Sequence, residues 1–74
     1  MVHPNPATDV LHISVSQFND QADVELQDIK GSILLKTKMK QSTQQLDLSG
    51  MNPGLYILKY NDGDHSKTVK FIKR

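Results

Sequence analysis

Apolar and polar residues alternate along most of this chain, and alternation with a period of two is typical of β-strands that bury one face. Leu11, Ile13 and Val15 fall on one face in this way, and Ala22 and Val24 begin the next run. No segment keeps apolar residues three or four positions apart over several turns, so no helix is predicted. Six strands are predicted, over residues 10–15, 22–27, 33–40, 46–48, 55–60 and 67–73.

Two of these runs carry further information about the sheet. In the third run, Ile33, Leu35 and Met39 are predicted to share one face. The fifth run is apolar on both faces except at Lys59, which predicts a central strand. Strands that recur about every ten residues predict an all-β fold, a small immunoglobulin-like or fibronectin-like antiparallel β-sandwich of about six to seven strands.

Short segments rich in Asp, Asn, Gly and Pro separate the runs and predict tight turns. Asp28-Ile29-Lys30-Gly31 has Asp at the first turn position and Gly at the last. Asn61-Asp62-Gly63-Asp64 is predicted as a hairpin loop, and Asn52-Pro53-Gly54 as a turn before the fifth strand.

Tyr56 stands at the start of the fifth strand, just after this last turn. Immunoglobulin-like and fibronectin-like sandwiches place a tyrosine at this corner, and its hydroxyl bonds back to the backbone upstream. An ordinary half-buried strand aromatic is the alternative interpretation. The corner is favoured because Gly54 would allow the close backbone approach that it needs.

Composition limits what the chain can be. Its 74 residues suffice for one small domain, and the absence of Cys excludes disulfides and thiolate metal sites. No apolar run approaches the length of a membrane span, and no basic-then-apolar signal peptide is present. The near-balanced net charge of +1 argues against nucleic-acid binding.

Charge is nevertheless distributed unevenly along the chain. Residues 1–37 carry five carboxylates and two lysines, a net −3, whereas residues 38–74 carry seven cations and three carboxylates, a net +4. Lysines on exposed strand faces are the ordinary explanation. The alternative is that the C-terminal strand, which ends in Lys-Phe-Ile-Lys-Arg, presents a basic feature to an acceptor.

Candidate catalytic residues are sparse. His3, His12 and His65 show no metal-ligand spacing, and the serines include no Gly-x-Ser-x-Gly motif. Asp62, Asp64 and His65 are interpreted as turn residues, because a calcium loop needs more carboxylates and a longer frame. The sequence therefore predicts neither enzyme activity nor a cofactor.

Four motifs occur in an order and spacing that resemble a known family. Pro4-Asn5-Pro6-Ala7 precedes the first strand, Asp28-Ile29-Lys30-Gly31 joins the second to the third, and Leu46-Asp47-Leu48-Ser49 leads to Gly54-Leu55-Tyr56. Lys70-Phe71-Ile72-Lys73 closes the chain. The whole chain thereby resembles the C-terminal sorting domain of the type IX (Por) secretion system, although His3 stands where family members often have an aromatic residue.

The resemblance implies a division of the chain and a set of recognition residues. Residues 1–8 would comprise an artificial start and a stiff Pro-Asn-Pro linker, and residues 9–74 a single β-sandwich sorting domain. The residues implied in recognition are Pro4, Asn5, Pro6, Asp28, Gly31, Gly54, Tyr56, Lys70, Phe71, Ile72 and Lys73.

The resemblance also implies a function. The domain would be the C-terminal secretion signal of a larger exported protein, recognised by the type IX translocon at the outer membrane and removed by a sortase-like peptidase. Its protein would cross the periplasm and reach the outer membrane, the cell surface or the medium. The alternative function is a fibronectin-like accessory module that binds carbohydrate or protein. An unpaired edge strand would in addition allow self-association.

Overall fold

Seven antiparallel strands account for most of residues 2–3 and 9–74, which are the part of the chain that the computed structural model describes. Within those ranges no helix is long and apolar enough to cross a membrane. The strands are β1 (Val2–His3), β2 (Val10–Ser14), β3 (Asp23–Asp28), β4 (Ile33–Lys38), β5 (Thr43–Asp47), β6 (Gly54–Asn61) and β7 (Ser66–Lys73).

The strands form two sheets, which confirms the predicted antiparallel β-sandwich. One sheet has three strands in the order β1-β2-β5, and the other has four in the order β4-β3-β6-β7. β6 pairs with β3 on one side and with β7 on the other, so the prediction of a central strand at residues 55–60 is confirmed.

The core lies between the sheets and consists of the residues that the alternation assigns to inner faces. Leu11 and Ile13 of β2 are fully buried, as are Val24 and Leu26 of β3 to within 1%. Burying apolar area of this kind is the main favourable contribution to folding in a small domain without disulfides. The remaining core residues are Ala22, Met39, Leu46, Leu48, Tyr56, Leu58, Tyr60 and Phe71.

β5 begins earlier than predicted, and β1 has no predicted counterpart. The apolar pattern identifies only residues 46–48, whereas β5 begins at Thr43. Thr43, Gln44 and Gln45 carry no apolar signal, but they pair in register with β2. Pairing with a neighbouring strand, which a single segment does not reveal, supplies the missing preference.

β4 departs from the predicted alternation because it contains a β-bulge. Leu35 pairs with Leu26, but Ile33 pairs with Gln27, so two residues of β4 lie opposite one residue of β3. The bulge places Ile33 and Leu34 together on the outer face of the sheet. The prediction that Ile33 shares a face with Leu35 and the buried Met39 is therefore wrong.

Side-chain oxygens of Asp and Asn hold the turns in shape. The predicted turn after β3 is confirmed: Gly31 donates its N–H to the Asp28 carbonyl at 3.1 Å, and the Asp28 carboxylate accepts the N–H groups of Lys30 and Ser32. Gly31 has φ +90°, a conformation that strains a residue with a Cβ. Asn19, Asp47, Asn61 and Asp62 likewise accept an N–H two residues onward.

We expect Gly31→Ala to lower the free energy of unfolding by about 1–2 kcal/mol, because at positive φ the Cβ of alanine lies too close to the backbone carbonyl oxygen. Urea denaturation of the isolated domain measures the change. Gly50→Ala is the matched control, since Gly50 has ordinary φ and open space around it. It should leave stability unchanged or slightly raised. Equal losses in both variants would contradict the explanation.

Candidate recognition surface at one end of the four-stranded sheet

Residues of three sequence motifs meet at one end of the four-stranded sheet. Asp28, the last residue of β3, pairs with Tyr56 of β6, and Tyr56 pairs with Phe71 of β7. Gly54, the first residue of β6, lies opposite Lys73. Three motifs that are far apart in sequence therefore form one row of neighbouring residues.

Two parts of the predicted set stand apart from this row. Gly31 contributes through the turn that continues from Asp28. Pro4, Asn5 and Pro6 lie outside the described residues.

Tyr56 forms the predicted corner. Its hydroxyl donates a hydrogen bond to the backbone carbonyl of Asn52 at 2.5 Å, and its side chain is buried. The proposed reason for Gly54 is wrong, however, because nothing lies within 4 Å of where its Cβ would be. Gly54 is suited to its position by a φ of +156°, which residues with a side chain rarely adopt.

Tyr56 also ties the corner to the C-terminal strand. Its ring stacks on Phe71 with the centroids 5.9 Å apart and the planes inclined by 28°. Phe71 is 1% exposed and is among the largest fully buried side chains in the described core. Contacts between aromatic rings in this range add to the stability given by burial alone. The position of β7 therefore depends on the same residue that fixes the start of β6.

The closing motif divides its side chains between the two faces of β7. Phe71 and Lys73 are buried, whereas Lys70 and Ile72 are exposed on the outer face. Lys73 is only 6% exposed, and its ammonium group donates to the Arg74 carbonyl at 3.2 Å. The exposed positive charge at this end of β7 therefore comes from Lys70 and Arg74.

Comparison with known proteins identifies the family. The family model of the secretion system C-terminal sorting domain matches residues 1–74, the full length of the chain. The chain belongs to this family. It is 38% identical over 69 residues to Beta-agarase D of Zobellia galactanivorans, a match that covers 93% of the chain and 13% of the agarase.

A solved structure agrees with this fold. The chain superposes over its full length on 11% of PorZ, a bacterial surface component of the type IX secretion system of Porphyromonas gingivalis. The TM-score is 0.83 at 20% sequence identity, a likeness of fold. Membership in the sorting-domain family means that the domain marks its protein for export to the cell surface or the medium.

The outer face of the sorting domain has an apolar area that sequence reasoning missed. Ile33 is 57% exposed, Leu34 47%, Leu55 43% and Ile72 48%, and the half-buried Ile57 lies among them. The signal was present in the sequence, because the fifth run is apolar on both faces. The same pattern is typical of a central strand, so by itself it does not predict an exposed apolar face.

The hairpin loop between β6 and β7 lies at the opposite end of the sheet and is organised around Asp62. This residue is only 3% exposed. One carboxylate oxygen accepts the N–H groups of Asp64 and His65, and the other accepts the Tyr60 hydroxyl at 2.9 Å. The His65 imidazole Nδ1 lies 3.5 Å from the second oxygen.

These contacts serve the turn and change two pKa values. The N–H of His65 is the main reason that the pKa of Asp62 lies below its ordinary value, and burial acts in the opposite direction. Burial, and then the neighbouring Asp62, raises the pKa of Tyr60. Among residues 2–3 and 9–74, no group of three His, Asp or Glu residues is arranged to hold a metal ion.

We expect Tyr56→Phe to lower the free energy of unfolding by about 1 kcal/mol, because it removes one partly buried hydrogen bond while keeping the ring. Thermal and urea denaturation measure the loss. Asn52→Ala is the control: the acceptor is the backbone carbonyl, so this exposed substitution should change stability by less than about 0.5 kcal/mol. If Tyr56→Phe is as stable as the parent, the corner bond does not contribute.

The acid stability of the domain should depend on Asp62. Since its pKa is lowered in the folded state, the charged carboxylate stabilises the fold above its unfolded pKa of about 3.9, and this is lost as pH falls through the folded value. Asp62→Asn should therefore be less stable than the parent at neutral pH, with the difference narrowing below about pH 4.

Urea denaturation at a series of pH values checks this expectation. Asp64→Asn, in the same loop, serves as the control, because the hydrogen bonds of the loop converge on Asp62 instead. A stability difference for Asp62→Asn that is independent of pH would contradict the assignment.

Proposed function

We propose that this domain is an export signal that the type IX translocon at the outer membrane recognises as a folded surface. The observation that carries the proposal is the meeting of the family's motif residues at one end of the four-stranded sheet. Asp28, Tyr56 and Phe71 come from three strands, and only the folded sandwich places them in one row. The match to the family over residues 1–74 supports the same function.

In this proposal one face of β7 holds the strand to the core, and the other face is the one that is recognised. Phe71 anchors the strand in the core, and Lys70 and Ile72 are exposed on the outer face, where a recognising protein would meet them. Asp28, Gly31, Gly54 and Tyr56 act indirectly, since their turn and corner bonds fix the shape of this end. Pro4, Asn5 and Pro6 are proposed to form the stiff linker that connects the preceding cargo to the domain.

The proposed signal acts without catalysis and needs no cofactor. Its partners are the translocon, a sortase-like peptidase that removes it, and the cargo that precedes it in the full-length protein. The cargo crosses the periplasm before it reaches the outer membrane and the surface. The edge strand β4, which pairs with β3 alone among the described strands, offers a place for self-association by strand pairing.

A reporter fusion tests the function. Residues 1–74 are joined through a flexible linker to the C-terminus of a reporter with an N-terminal signal peptide, in a host that carries the type IX system. We expect the reporter at the cell surface or in the medium, and in the periplasm when the translocon is deleted or the domain is omitted. Delivery without the domain would overturn the proposal. Binding of the isolated domain to agarose, with no effect on delivery, would favour a carbohydrate-binding module.

A core substitution distinguishes a folded signal from a linear one. Deleting residues 70–74 would remove the buried Phe71 and would confound recognition with folding. Leu11→Asp instead places a carboxylate at a fully buried position of β2, and it leaves the sequence of every motif unchanged. Its cost exceeds the roughly 5 kcal/mol of stability typical of so small a domain. We expect delivery to be lost, and normal delivery of this unfolded variant would show that a linear segment is read.

A further inference from the structure

The apolar area on the outer face of the four-stranded sheet coincides with the motif-bearing end. The strand register places Ile33, Gln27, Ile57 and Lys70 in one row across the four strands. Leu34 joins this row through the β-bulge, and a second row pairs Leu55 with Ile72. The outer patch is the name we give to this set of apolar residues, of which four are exposed and Ile57 is half-buried: Ile33, Leu34, Leu55, Ile57 and Ile72.

The outer patch exposes large apolar side chains to solvent, whereas the rest of the same sheet face is polar. Leu34, Leu55 and Ile72 are each between 43% and 48% exposed, and Ile33 is 57% exposed. The other end of the same face carries charged and polar residues, namely Asp23, Glu25, Lys36, Lys38, Lys59, Asn61, Ser66 and Thr68. Contiguous apolar side chains with a polar surround are typical of protein interaction sites.

Positive charge predominates at the border of the outer patch. Lys36 and Lys59 follow it along β4 and β6, and they flank the single carboxylate of Glu25. Lys70 borders it on β7, and the exposed Lys30 and Arg74 lie at the motif-bearing end. The nearby carboxylate of Asp28 is engaged by the N–H groups of its own turn.

We propose that the outer patch is the contact surface of the sorting domain, and that its occupant is a folded protein with an apolar centre and a rim of Asp and Glu. Such a partner matches both the apolar centre and the excess of lysine and arginine, and charge matching of this kind provides orientation and specificity. This inference rests on the proposed export function, and it names the surface and partner chemistry through which that function is carried out.

A protein fits this surface better than an anionic lipid layer does. A lipid layer responds to apolar area and positive charge, whatever the exact shape that presents them. Here the patch is shaped by specific devices, namely the β-bulge at Leu34 and the turn at Asp28. The patch also contains no Trp, Tyr or Phe, the residues that membrane-surface elements commonly place at the lipid interface.

The test uses the reporter fusion with two pairs of variants. The first pair compares the double variant Leu34→Thr/Ile72→Thr with Phe18→Thr, because Phe18 is 36% exposed in the loop before β3, at the other end of the sheet. Threonine preserves β-strand preference at both outer-patch positions. The second pair compares Lys30→Glu/Arg74→Glu with Lys40→Glu/Lys67→Glu, which makes the same charge change away from the patch.

We expect Leu34→Thr/Ile72→Thr and Lys30→Glu/Arg74→Glu to reduce surface delivery about tenfold or more, since they alter the apolar centre and the border of one interface. The two controls should deliver like the parent. Circular dichroism and thermal denaturation of the isolated domains are expected to match those of the parent, because every substituted side chain is exposed. If the threonine variant is less stable than the parent, the comparison of Lys30→Glu/Arg74→Glu with its control still tests the proposal.

Each other outcome has a definite meaning. If the parent fusion requires the domain but all four variants deliver normally, the outer patch is not the contact surface, although the export function stands. If the reporter is delivered equally well when the domain is omitted, the proposed export function itself is wrong. Vesicles of phosphatidylcholine with phosphatidylglycerol provide the lipid probe. Binding of the parent domain to them, lost in the same two variants, would replace the protein occupant with a lipid surface.

Discussion

The architecture of the motif-bearing end depends on how Tyr56 is held. Its hydroxyl bonds to the Asn52 carbonyl, and its ring stacks on Phe71, so one side chain connects the turn before β6 to the strand after it. β6 in turn pairs with both β3 and β7. Tyr56 therefore stands where three paired strands meet, opposite Asp28 of β3 and Phe71 of β7. Without disulfides, the domain depends on burial of its apolar core, and this hydrogen bond and the aromatic contact add a local constraint at this end of the sheet.

Much of the fold could be predicted from sequence because the inner faces follow a strict alternation. Leu11, Ile13, Val24 and Leu26 are buried as the period of two requires. The bulge at Leu34 could not be predicted, since it depends on how β4 pairs with β3. The start of β5 was missed for a related reason: Thr43 to Gln45 are strand residues because β2 lies beside them. In both cases the decisive information is in the neighbouring strand.

The candidate site shows the same division between local and tertiary information. The Asp28 turn and the Tyr56 corner are local features with recognisable chemistry, and both were predicted. The exposure of Leu34 follows from the bulge in β4, and the burial of Lys73 from its place on the inner side of β7, so neither is visible in a charge count along the chain. The cations at the border of the outer patch come from both halves of the chain: Lys30 and Lys36 from the net-negative half, and Lys59, Lys70 and Arg74 from the net-positive half.

The motif residues whose contacts are described above have structural roles, which sets them apart from the side chains exposed on the outer face. Asp28, Gly31, Gly54 and Tyr56 are accounted for by turn geometry, backbone conformation and one hydrogen bond. Phe71 is accounted for by the core. Their side chains are committed to the fold, so they offer little that distinguishes this sandwich from another of the same architecture. In the proposed export function, specific recognition therefore falls to outward side chains, and at this end those are the apolar outer patch and its lysine and arginine border.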